Sequence, residues 1–174
     1  MRKILKSTLA VCLLLCMAFG LAACGNTGLK AEDLVGHYQL VHLTYTASAE
    51  NTAGYQSCEY TKEQYLVLEA KIDAGEATQK EENDYYAMAG NWDGYMDVRE
   101  DGTVYDVYET SPELFVGNWE IKDGELVYTQ TLNSIDTYTA EYKDGQIIVT
   151  WINNRDSDPW QGTTVYVYEK VVRA

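Results

Sequence analysis

The chain has 174 residues, with 27 acidic against 13 basic side chains and a formal net charge of −14. Such a surface repels polyanions, which excludes nucleic acid as a partner and argues against protein charge as the means of holding an anionic membrane face. The length suits one domain with a proper core and is short for two.

Arg2, Lys3 and Lys6 precede an apolar run from Leu9 to Phe19 that is too short to span a bilayer, and the segment ends Leu21-Ala22-Ala23-Cys24. A cationic start, a short apolar run and small residues before a cysteine are the parts of a secretory signal. The ending resembles the lipobox of bacterial lipoproteins. That resemblance implies a lipoprotein signal peptide over residues 1–23, cleavage before Cys24, and a diacylglyceryl thioether on the Cys24 sulfur. The protein would then be exported and lipid-anchored at the outer face of a bacterial membrane, at the cell surface or in the periplasm. An ordinary signal peptide with an incidental cysteine is the alternative. On the lipoprotein reading residues 24–30 are a lipidated tether and residues 31–174 one folded domain. From Cys24 onward the chain carries 10 basic and 27 acidic residues, net −17. Two acyl chains, at about 0.8 kcal/mol per buried methylene, give the anchoring that this charge does not. Cys12 and Cys16 leave with the signal and Cys24 is taken by lipid, so Cys58 has no disulfide partner and is read as a buried, inert thiol rather than a reactive one.

Residues 31–35 suit one helical turn leading into a first strand over residues 36–47. The region 48–94 departs from β patterning. Thr61-Lys62-Glu63-Gln64 has capping-box spacing, and Tyr65, Leu68 and Ile72 follow at helical intervals, so a helix is predicted there, with a second, weaker one within 76–89. Tyr65 to Leu68 is also compatible with a ninth strand. From Tyr95 onward the pattern is β. Asp101-Gly102, Asp123-Gly124 and Asp144-Gly145 each separate runs rich in Tyr, Val, Ile and Thr, and each predicts a tight type I′ hairpin. Seven strands follow the first: 95–100, 103–109, 117–122, 125–132, 137–143, 146–153 and 163–171. Trp119, Ile121, Leu126, Tyr128, Tyr138, Tyr142, Ile147, Val149 and Trp151 share the inward parity, and Glu120, Lys122, Glu125, Thr129, Glu141 and Lys143 the outward one. The predicted fold is all-β, an eight-stranded antiparallel up-and-down barrel with a helical insertion between strands 1 and 2; closure removes the unpaired edges.

Gly36-x-Tyr38 on the first strand, the strand count and the Tyr, Trp and Thr-rich meander resemble the lipocalin-like domains of bacterial lipoproteins and, more loosely, the calycin barrels. The likeness covers about residues 34–171. The lipocalin first-strand motif is G-x-W, with Tyr38 here in the tryptophan's place; Gly117-Asn118-Trp119 is a second copy within the meander, and the family's threonine-aspartate-tyrosine motif is absent. A late basic residue packs over that aromatic in the family, which implies Lys170 or Arg173. The resemblance implies a barrel that binds a small molecule and names no ligand.

In an up-and-down meander the three Asp-Gly hairpins fall at one end, leaving the longer connections at the other. A ligand is therefore expected at the loop end, with Trp92, Phe115, Trp119, Trp151, Arg155 and Trp160 as the contact set and the helical insertion as a lid. A narrow eight-stranded barrel can instead be filled by its own side chains, Trp119, Trp151, Tyr128 and Tyr142 among them. Catalytic residues, a cofactor and a metal are not predicted. His37 and His42 belong to no nucleophile or metal motif, and the run from Asn153 to Asp158 lacks EF-hand spacing and contains Arg155. The expected function is a non-catalytic, membrane-anchored binding module for a small, partly apolar or aromatic ligand. The alternative is an acidic interaction or inhibitor lipoprotein engaging a cationic protein.

Overall fold

The structure, a computed structural model, describes residues 28–48, 54–88, 92–108, 111–130, 137–153 and 161–172. The expected signal peptide, Cys24, Arg155, Trp160 and Arg173 lie outside the described residues. A single helical turn α1 (Ala31–Leu34) leads into β1 (Gly36–Ala47), followed by β2 (Cys58–Thr61), α2 (Lys62–Ala74) and α3 (Gln79–Ala87). The meander then runs β3 (Tyr95–Val98), β4 (Thr103–Val107), β5 (Leu114–Lys122), β6 (Glu125–Gln130), β7 (Thr137–Lys143), β8 (Gln146–Asn153) and β9 (Gly162–Val171).

The strands pair in the order β6-β5-β4-β3-β1-β9-β8-β7, every ladder antiparallel, and the two end strands β6 and β7 lie alongside each other. The eight strands thus form a nearly closed antiparallel barrel. The remaining strand, β2, adds to β1 along His42–Tyr45, on the edge where β3 holds only Gly36–Tyr38. A ninth strand therefore exists, but ahead of Tyr65 and Leu68, which are helical and buried. Helix α2 starts at a capping box: the Thr61 hydroxyl accepts from the Gln64 amide, and the Thr61 amide donates to Gln64 Oε1 at 2.9 Å. It stops at Gly75, whose φ of 68° satisfies the last carbonyls in a left-handed cap. Thr78 and Glu81 form the same box on α3.

Two of the three Asp-Gly pairs are type I′ turns, with φ of 56° and 84° at Asp123-Gly124 and 53° and 85° at Asp144-Gly145. Asp101-Gly102 differs from expectation. Only Gly102 is left-handed there, the Arg99 amide donates to the Thr103 carbonyl, and the loop is one residue longer. The reason is local: the Asp101 carboxylate accepts from the Thr103 amide and hydroxyl and so holds an Asx turn.

Two irregularities set which side chains face inward. Between Leu40 and His42 the β1–β9 register shifts, so Tyr38, Leu40, Leu43 and Tyr45 are all buried despite their odd spacing. In β5 the shift falls at Val116, which lets the ladder continue past Gly117 and begins the strand at Leu114, three residues earlier than predicted. Gly117 is obligatory at that crossing. A Cβ there would lie 2.4 Å from the Thr129 carbonyl oxygen.

Candidate functional site

The barrel interior changes character along its axis. At the Asp-Gly end, Leu34, Met96, Val98, Val104, Trp119, Leu126, Tyr128, Ala140, Ile147 and Val149 leave only about 10 Å³ between them. Helix α1 stops this end. The Tyr38 hydroxyl donates to the Leu34 carbonyl at 2.8 Å, and the Asp33 carbonyl accepts from Tyr38, Tyr142 and the Lys170 ammonium at 3.3, 3.4 and 3.1 Å. Lys170 also lies 5.9 Å above the Tyr38 ring, and Gly36 makes room for its stem, since a Cβ there would sit 2.6 Å from Lys170 Cε.

Toward the loop end the same strands surround a cavity of about 410 Å³. Met96, Val116 and Val149 form its apolar part, and Asp106, Tyr108, Tyr128, Gln130, Tyr138, Tyr166 and Tyr168 the rest. The lining arises from strand parity. Asp106 follows Val104 by two residues on β4 and Tyr108 comes two residues later, just past the strand's end, while Tyr166 and Tyr168 precede Lys170 at the same spacing on β9. Burial pushes the phenols of Tyr108, Tyr128, Tyr166 and Tyr168 up, and the Asp106 carboxylate adds to each shift. The hydroxyls therefore stay protonated and act as neutral donors and acceptors. Among the described residues no lysine, arginine or histidine lines the cavity.

The sequence-predicted contacts separate. Trp151 stacks on the cavity residue Tyr138 at 6.1 Å and borders a second space of about 120 Å³ with Tyr45, Tyr86, Asn153 and Thr164. Its buried indole nitrogen has no hydrogen-bond partner among the described residues. Trp119 lies in the packed floor, with Nε1 donating to the Arg99 carbonyl at 2.9 Å. Trp92 is in the core of the helical segment, stacked on Tyr65 at 4.6 Å, with its indole donating to the Met88 carbonyl. Phe115 pairs with Tyr105, opposite in parity to Val104 and Asp106, and meets its ring edge-on at 5.5 Å; the Arg99 guanidinium lies 3.9 Å above Tyr105. It does not line the cavity. Arg155 and Trp160 lie outside the described residues. Asp106, Tyr108, Gln130, Tyr166 and Tyr168 were not among the sequence candidates, although one signal was available: a carboxylate at the inward parity of Val104-x-Asp106-x-Tyr108.

Fold and cavity together define an antiparallel β-barrel with a packed floor and a tyrosine-walled chamber above it. Comparison with protein-family models, with curated proteins and with solved structures gives no match to this chain.

Proposed function

We propose that this protein is a lipid-anchored, lipocalin-like binding module that takes a small, partly apolar or aromatic ligand into the loop end of its barrel and performs no chemistry on it. The observation that carries the reading is the tyrosine-walled cavity of about 410 Å³ above a floor that has almost no free space. Its size lies in the range of pockets that enclose small molecules, about 300–1,000 Å³. The lipocalin-like part is supported by Gly36-x-Tyr38 with Lys170 across the Tyr38 ring, the arrangement the family resemblance implied.

Anchoring is supported by Leu21-Ala22-Ala23-Cys24 and has a geometric consequence. Helix α1 stops the floor end, and a Cβ on Gly124 would lie 3.8 Å from Gly28 Cα, so the chain leaves the barrel beside the β5–β6 turn. Seven residue steps from Cys24 to Ala31 span at most about 25 Å. A lipid on Cys24 would hold the packed floor toward the membrane and the cavity mouth away from it.

Native mass spectrometry of the protein purified gently from its host's envelope tests the reading. A reproducible small-molecule mass that disappears in Val149→Phe, which extends a ring from the floor into the cavity, is the expected result. A clean apo mass overturns it. A co-purifying basic protein that dissociates in high salt would favour the second reading, in which the net charge of −17 carried from Cys24 onward engages a cationic protein.

A further inference from the structure

We infer that a cleft between α3 and the segment leading into β2 is a second binding site, which takes an uncharged sugar ring whose hydroxyls donate to Asp84. Gln56, Lys80, Asn83 and Asp84 line a space there of about 290 Å³, and none of them borders the tyrosine-walled chamber of the barrel. Asp84 is 2% exposed. Its Oδ2 accepts from the Tyr60 hydroxyl at 3.0 Å and from the ammonium of Lys80, one helical turn earlier, whereas its Oδ1 is buried with no hydrogen-bond partner among the described residues. A carboxylate oxygen taken out of water and given no donor is a standing cost to the fold. A ligand that brings a donor to it recovers that cost on binding.

Charge and lining name the class of ligand. The side chain of Lys80 is 60% exposed and reaches the buried Asp84 from the solvent side, so the two charges of the cleft already match one another. A further cation meets the ammonium and an anion meets the carboxylate, which leaves a neutral molecule favoured. The lining combines a carboxylate that only accepts, an ammonium that only donates and two carboxamides that do both. Asp84 uses one of the three donors of Lys80. A hydroxyl donates to Asp84 Oδ1 and accepts from Lys80 or a carboxamide at the same time, and adjacent hydroxyls on a sugar ring make such contacts in pairs.

Saturation-transfer NMR titrations of the full chain in nanodiscs test this with glucose, galactose and mannose, and with glucosamine and glucuronate as the cationic and anionic relatives of glucose. At least one neutral hexose is expected to bind, and both charged sugars more weakly than it. Asp84→Asn is expected to weaken that hexose about ten- to a hundredfold, the range for a hydrogen bond to a charged group, with circular dichroism showing that the variant is folded. Asn83→Ala removes neither Tyr60 nor Lys80 from Asp84 and is expected to weaken binding about fivefold, the range for a neutral hydrogen bond; it decides the matter if Asp84→Asn does not fold. Val149→Phe, inside the barrel, is expected to leave sugar binding unchanged, so failure of the barrel site and failure of this one are told apart. Absence of hexose binding, a preference for glucosamine or glucuronate, or hexose binding that survives Asp84→Asn and Asn83→Ala overturns the inference and leaves the binding barrel standing.

Discussion

Truncating Trp92 to alanine separates a structural role from a ligand contact. Trp92 is 1% exposed and stacks on Tyr65 of α2, which in turn stacks on Tyr85 of α3 at 5.4 Å, so the indole is the end plate of an aromatic column joining the two helices. Its Nε1 donates at 3.1 Å to the carbonyl of Met88, itself fully buried. Removing a buried indole costs about 3–5 kcal/mol in lost contacts and residual cavity. The stranded carbonyl adds roughly 1 kcal/mol. For a domain of this size each kcal/mol lowers the melting temperature by about 2–4 °C, so the melt should fall by roughly 8–24 °C. Urea unfolding followed by far-UV circular dichroism gives the free energy directly, and Trp92→Phe, which keeps the stack and loses the donor, should cost distinctly less. A loss below about 1 kcal/mol for Trp92→Ala would refute the structural role and return Trp92 to the ligand contacts.

Gly117→Ala places a methyl against the Thr129 carbonyl, a backbone atom that has no rotamer to move into; about 1–3 kcal/mol of destabilisation is expected, and an unchanged urea midpoint would contradict it. The Cys58 thiol is pushed up to about 12 by burial first and by Asp84 second, partly offset by Lys80. Peptide mapping after alkylation at mildly alkaline pH should therefore find Cys58 labelled only in urea, and labelling of the folded protein at the rate of a free thiol would show the site to be open. Tyr128, Tyr166 and Tyr168 have their phenol pKa raised in the folded state, chiefly by burial. The stability this confers is complete below the ordinary phenol value of 10.0 and is lost as pH climbs from there toward the folded values, at about 1.4 kcal/mol per pH unit for each tyrosine. Phenolate absorbance should thus appear in two stages, the second coinciding with loss of near-UV circular dichroism. A single titration near the ordinary value with the fold intact would be inconsistent with a buried tyrosine group.

Periodicity and turn chemistry carried much of the barrel. Alternation placed Trp119, Ile147 and Val149 inside, where they are buried, and the Thr61-x-x-Gln64 box located the start of α2 at its correct residue. What periodicity does not carry is a bulge. The register shifts at Val41 and Val116 depend on how two strands meet rather than on either strand alone. With the second of them β5 begins at Leu114, so Phe115 lies within the strand and packs on Tyr105 instead of standing on a loop at the mouth. Trp92 is ambiguous in sequence for a different reason. A tryptophan between a helix and a strand reads equally as a rim aromatic or as a packing anchor, and only the partner, here Tyr65 some 27 residues earlier, decides. The cavity wall is hard to read in sequence because the residues that surround the open space are mostly tyrosines, a residue type spread throughout the chain.

The order of residues along the strands gives the strongest argument that the cavity is more than imperfect packing. Going from floor to mouth, the inward positions read Val98 then Met96 on β3, Val104 then Asp106 on β4 with Tyr108 just past its end, Leu126 then Tyr128 and Gln130 on β6, and Ile147 then Val149 and Trp151 on β8. Apolar residues dominate the floor, and polar or aromatic ones replace them at the mouth on β4, β6 and β8. A barrel selected only for stability would continue the aliphatic rows, because partly buried phenols require hydrogen-bonding partners, and a missing partner costs about 1–3 kcal/mol. Retaining Tyr108, Tyr128, Tyr166 and Tyr168 around open space is therefore a stability cost concentrated at one end of the fold, and a bound molecule that uses those groups offsets it. On this reasoning Tyr108→Leu, at the mouth of the cavity, should leave the empty protein at least as stable as the parent while removing any small-molecule mass seen in native mass spectrometry, and a Leu variant that melts below the parent would mean that Tyr108 serves the fold instead.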